Sequence, residues 1–130
     1  MAPREYSDIL IDLYLEKSDK ALEAANLMIN NELFESALNR IYYAIFYTVS
    51  ALGEKNDFVS SKHSGMMSWF NRKYVNDEKK FSKDISEIYR KTFKFREKGD
   101  YDPRYHATFE ETNEILNQAK KFIEIVRKEI

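Results

Sequence analysis

Apolar residues return along this chain with the 3.6-residue period of an α-helix. Between Tyr6 and Met28 one stripe holds Tyr6, Ile9, Leu10, Leu13, Tyr14, Ala21, Ala24 and Met28. A second, formed by Ile11, Leu15, Leu22 and Ile29, runs beside it, and Asp8, Asp12, Glu16, Asp19, Glu23 and Asn26 fill the remaining arc. One stripe is enough to pack a helix into a bundle. The extra one predicts that this helix also meets a further helix or another subunit. Asn30-Asn31-Glu32 breaks the pattern.

A second helix is expected from about Leu33 to Leu52, apolar nearly all round and therefore central, with Gly53 as its C-terminal stop. After a polar loop from Glu54 to Ser61, Ser60 or Ser61 is expected to cap a third helix over Lys62 to Tyr74, with Met66, Met67, Phe70 and Tyr74 on its apolar side. A fourth helix, from about Phe81 to Lys98, turns Phe81, Ile85, Ile88, Tyr89, Thr92 and Phe95 inward. The stretch Gly99 to His106 is expected to leave the helix. Thr108 and Glu111 then have the spacing of a capping box, and Phe109, Thr112, Leu116, Ala119, Ile123, Val126 and Ile130 form a 3-4-3-4 seam on the last helix. The predicted fold is all-α, a five-helix up-and-down bundle, with residues 1–130 forming a single domain.

Composition narrows the chemistry. The 43% hydrophobic and 33% charged residues fit a soluble globular chain, and 3 Gly with 2 Pro are too few for a turn-rich β-fold. There is no Cys, hence no disulfide, thiolate zinc site or cysteine nucleophile. The N-terminal stretch Met1 to Asp8 lacks the apolar core of a signal peptide, and no apolar run is long enough to span a membrane, so a cytoplasmic location is expected. The net charge of -1 conceals an asymmetry: residues 1–61 carry 5 Lys/Arg against 10 Asp/Glu, and residues 72–104 carry 11 against 7. Such a basic lobe either attracts phosphate or an acidic partner, or is simply a solvated helix face.

The histidines exclude a carboxylate di-metal centre of the Glu-x-x-His type, because Ser60 and Pro103 stand three residues before His63 and His106. No glycine-rich phosphate loop is present. Ser60-Ser61-Lys62-His63-Ser64 places hydroxyls beside a histidine, but no acid there has an evident orienting role. No metal or cofactor is expected. Two arginines stand out. Arg40 interrupts the apolar run of the second helix and shares a face with Ser36, Tyr43 and Tyr47. It is either a buried pin paired with a carboxylate or helix-end carbonyls, or a guanidinium contact for phosphate. Arg96 lies at the edge of the fourth helix's stripe, with Asp100 at ion-pair spacing if the helix persists. With Tyr101, Arg104 and His106 these residues gather at one end of the bundle, as a salt-bridged closure or as a phosphodiester site.

Three separated motifs carry a family resemblance: Ser36-x3-Arg40-x-Tyr42-Tyr43-Ala44-x-Phe46, Ser61-Lys62-His63-Ser64-Gly65, and Phe95-Arg96-Glu97-Lys98-Gly99-Asp100-Tyr101. In their order and spacing the chain resembles HEPN domains, in particular small stand-alone archaeal and bacterial ones. The resemblance implies a homodimer, and a toxin–antitoxin-type pairing with a minimal nucleotidyltransferase. It also brings a motif of metal-independent ribonucleases, an Arg followed after four to six residues by a His. Here Tyr101 stands five residues after Arg96, and His106 stands ten after it. Tyrosine, with an ordinary pKa of about 10, is a poor general base near neutrality. The favoured function is therefore binding of nucleotide or RNA at a dimer cleft through Arg96, Asp100, Tyr101, Arg104 and Arg40. The alternatives are a ribonuclease toxin using Arg96 and His106, and a helical scaffold without a ligand.

Overall fold

The computed structural model describes residues 3–130. Met1 and Ala2, part of the N-terminal stretch without a leader-like core, lie outside the described residues. Five α-helices follow one another: α1 (Pro3–Asn30), α2 (Phe34–Lys55), α3 (His63–Phe70), α4 (Lys83–Tyr101) and α5 (Phe109–Arg127), with no strand among the described residues. The expected all-α bundle is what forms. No described helix is long and apolar enough to cross a membrane.

α2 is the central element. It packs on α1 along most of its length and also meets α3, α4 and α5. Its all-round apolar surface is the cause: Ala37, Leu38, Ile41, Tyr42, Ala44, Ile45, Val49 and Leu52 are almost wholly removed from water. α1 offers a narrower buried face than its two stripes suggest. Ile11, Ser18, Ala21, Ala25 and Ile29 are buried, whereas Tyr6, Ile9 and Leu13 remain exposed. Small side chains at 18, 21 and 25 let α1 come close. The Ser18 hydroxyl donates to the Ala44 carbonyl at 2.8 Å and lies 2.9 Å from the Thr48 hydroxyl.

The helix ends depart from expectation in instructive ways. Gly53 does not stop α2 but lies buried inside it. A Cβ there would sit 2.7 Å from the Phe58 carbonyl oxygen, so glycine serves a close approach. The turn is made instead by Asp57 at φ 57°, and the Phe58 amide returns to the Gly53 carbonyl. α3 starts at His63 without a side-chain cap, and Ser60 Oγ accepts the Lys62 amide just before it. α3 then widens into a π-helical segment, Asn71–Asp77, and Phe81 is buried in the connection rather than in α4. The Thr108 side chain accepts the Glu111 amide as predicted, but the Glu111 carboxylate accepts the Tyr105 hydroxyl. Phe109, expected in the α5 seam, is half exposed and meets Phe34 edge-on.

α4 runs three residues past Lys98, through Gly99, Asp100 and Tyr101. A Cβ on Gly99 would lie 3.3 Å from the Glu35 carbonyl oxygen and 3.4 Å from Glu35 Cβ. Glycine is therefore where the end of α4 crosses the start of α2 most closely. That crossing builds the site.

Candidate phosphate site between helices 2 and 4

The extra turn of α4 puts Asp100 one helical turn beyond Arg96, and Arg96 Nη1 lies 3.5 Å from Asp100 Oδ2. The same carboxylate oxygen accepts Asn39 Nδ2 at 3.0 Å. The other end of that amide, Asn39 Oδ1, accepts Arg40 Nε at 3.0 Å and Nη2 at 2.8 Å. The donor–acceptor demands at both ends agree on the amide's orientation. Arg40, Asn39, Asp100 and Arg96 thus form one polar chain across the α2–α4 crossing. Arg40 is half-buried, lies 5.0 Å from the Tyr43 ring centroid, and is satisfied by its sequence neighbour. The expected pairing with a carboxylate or helix-end carbonyls is not the one it makes.

Arg96 is part-buried, with its Nε atom sealed from water. Its side chain is 11% exposed, and its guanidinium carbon lies 5.1 Å from the Tyr42 ring, 5.5 Å from Phe93 and 5.8 Å from Tyr43. Electron-rich ring faces replace part of the hydration it has lost. Its Nε has no hydrogen-bond partner among the described residues. With a long ion pair on one nitrogen and an unmatched N–H on another, this guanidinium keeps donor capacity for an anion.

Sequence reasoning did not assign His63 to this site. Its Nδ1 lies 2.7 Å from the Tyr42 hydroxyl. Its ring stacks on Phe46 at 4.3 Å and on Tyr42 at 5.6 Å, and meets Tyr43 edge-on at 5.6 Å. Burial, with Arg96 opposing it in part, pushes the Tyr42 hydroxyl well above the ordinary tyrosine range. Burial first, and then the Arg96 charge, lower the His63 pKa from its ordinary 6.5. Both shifts favour a neutral pair, so Tyr42 O–H donates to Nδ1 and His63 carries its proton on Nε2. The signal in the sequence was the Ser61-Lys62-His63-Ser64-Gly65 motif, whose histidine had no visible partner.

Of the predicted residues, Arg96, Asp100 and Arg40 therefore come together, whereas Tyr101 and Arg104 do not join them. Tyr101 is 73% exposed, and the Arg104 side chain, held to Asp102 at 3.1 Å, is 89% exposed. They line a shallow groove of about 540 Å³ with Lys94, Glu97, Lys98, Asp102 and Pro103. Lys98 is drawn over the Phe95 and Tyr105 rings at 5.8 and 5.3 Å. His106 is exposed, and no contact among the described residues links it to Arg96. No described cluster of three His, Asp or Glu side chains suits a metal ion.

The chain has relatives along most of its length. A UPF0332 protein of Thermotoga maritima is 35% identical over 119 residues, covering 92% of this chain and 89% of its own. Two proteins of Methanocaldococcus jannaschii, each named as a candidate toxin, are 28% and 31% identical, each covering 91% of this chain and 80% and 87% of their own lengths. The HEPN domain profile matches residues 11–129, from the first buried residue of α1 to the end of the bundle. With the three motifs on α2, α3 and α4 and the helical bundle they build, the chain belongs to the HEPN domain family.

Proposed function

We propose that this chain is a toxin-type HEPN protein that binds RNA or a nucleotide by its phosphate at Arg96, as a homodimer paired with a minimal nucleotidyltransferase. One observation carries the phosphate assignment: a buried guanidinium on aromatic rings whose Nε lacks a partner and whose ion pair to Asp100 is 3.5 Å long. Nε is sealed from water in this structure, and a phosphate oxygen supplies the missing acceptor once Arg96 turns out from the rings. Asp100 keeps its hydrogen bond from Asn39 when Arg96 turns to the ligand. Arg40, hydrogen-bonded through Asn39 to the same carboxylate, adds positive charge at the rim. The toxin names of the archaeal relatives support the biological setting.

Calorimetry with AMP and with a short oligoribonucleotide tests the site. Arg96→Lys keeps the charge but loses the planar fork, and is expected to weaken binding about tenfold, or about 1.4 kcal/mol. Unchanged affinity in that variant would overturn the assignment. Light scattering tests the dimer, and co-purification with a co-expressed minimal nucleotidyltransferase tests the pairing. A strict monomer at tens of micromolar, or no co-purification, would remove those parts of the proposal.

A further inference from the structure

His63 shares the walls of the Arg96 site without being one of its polar chain. Tyr42 and Tyr43 each contact both residues: the Arg96 guanidinium lies over their faces, and the His63 ring stacks on the first and meets the second edge-on. Here Nδ1 is occupied by Tyr42 O–H, the ring is half-buried, and Nε2 makes no hydrogen bond among the described residues. Arg96 Nε–H, sealed without an acceptor, and His63 Nε2–H, which is open to water, therefore belong to side chains resting on one pair of tyrosines.

We propose that His63 is the second contact of a phosphate group bound at Arg96, and that it takes up a proton from solvent as that phosphate binds. The inference rests on Arg96 being a phosphate contact. The titratable and charged groups that face His63 are Tyr42 and Tyr43 from α2 and Arg96 from α4, with Lys62 its neighbour in the chain and Glu97 acting on Tyr42. Tyr42 holds Nδ1 in either charge state, accepting from Nδ1–H once the ring is protonated, so Nε2–H stays the outward donor. What disfavours the cation is burial and the Arg96 charge. An anion held by both groups offsets the Arg96 charge and stands in for the hydration lost on burial. Because the His63 pKa then rises in the complex, affinity is strongest at low pH and declines as pH rises through the His63 titration.

The chain has only two histidines, so a His106→Gln variant leaves one imidazole to follow by NMR. Its titration is recorded alone, with AMP, and with a 5′-hydroxyl hexaribonucleotide whose phosphates are all diesters. The expected result is a titration displaced to higher pH by ligand. Calorimetric affinity for the hexamer should fall several-fold between about pH 6 and about pH 8 and stay within about twofold in His63→Gln. Displacement by AMP alone identifies a terminal phosphate as the ligand, and displacement by both identifies a diester as sufficient. Arg96-dependent binding with an unmoved His63 titration overturns this inference and leaves the phosphate assignment standing. No binding of either ligand overturns the assignment, and this inference with it.

Discussion

Replacing Arg96 with methionine separates a ligand-binding arginine from a structural one. The losses are the ring contacts, about 1–2 kcal/mol for a desolvated cation on aromatic faces, and the Asp100 pair. That pair is long, with side chains 11% and 25% exposed, and contributes less than about 1 kcal/mol. Against this, methionine removes a buried Nε–H without an acceptor, which costs about 1–3 kcal/mol in the native chain. Its sulfur returns about 0.3–1.5 kcal/mol against the same rings. Asp100 is not stranded, because Asn39 Nδ2 still donates to it at 3.0 Å. The terms nearly cancel, and Arg96→Met is expected to lie within about 1 kcal/mol of the parent.

Urea unfolding followed by fluorescence measures this directly. Trp69 is the only tryptophan and stacks on Phe58 with ring centroids 4.8 Å apart, so unfolding must change its environment. Binding of AMP or RNA to the same variant should fall by more than tenfold. A loss above about 3 kcal/mol would refute the reasoning, since it would show that the guanidinium is a structural pin whose removal strands its partners.

Three further outcomes are expected. His63 binds a proton less readily folded than unfolded, so stability should fall as pH drops below the ordinary histidine value of 6.5; urea midpoints should show that slope, and His63→Gln should lose the part that lies above carboxylate titration. Gly53→Ala should lower the thermal midpoint by the equivalent of about 1–2 kcal/mol, because its Cβ would press on the Phe58 backbone at 2.7 Å and outweigh the better helix propensity; equal or higher stability would mean that the α2 end yields easily. Arg40→Ala should cost less than about 1.5 kcal/mol in urea unfolding, since the side chain is half-buried and, among the described residues, hydrogen-bonded to Asn39 alone; a loss of several kcal/mol would restore it as a buried pin.

The helical order was legible because period and caps are local properties: α5 begins at its predicted Thr108 cap, and α2 was recognisably central from its all-round apolar surface. The misplacements share one cause. Gly53 and Gly99 both looked like breakers, since glycine is the commonest helix terminator. Both are instead helical positions met by another stretch of backbone, too near for a Cβ at Gly53 and tight for one at Gly99. Which role a glycine plays depends on the backbone it meets: for Gly53 the chain folding back at Phe58, for Gly99 the distant Glu35.

The same dependence separates the two arginines. In sequence, Arg40 looked deeper, inside an apolar run, and Arg96 looked marginal, at the edge of a stripe. The α2–α4 crossing leaves both part-buried and gives them different partners. Gly99 lets α4 settle against the Glu35 backbone, and in the same crossing Arg96 lies over Tyr42, Tyr43 and Phe93, while Arg40 keeps a half-exposed position beside Asn39. His63 enters from a third element through a bond to Tyr42 that no helical spacing encodes. The histidine expected five residues after Arg96 is absent from α4, yet an imidazole stands against the same tyrosines, delivered by the start of α3. The chain thus supports an arginine and a histidine sharing aromatic walls without the linear motif. Whether such a pair binds phosphate is then a question about Tyr42 and Tyr43, the walls common to both, rather than about the spacing of residues along α4.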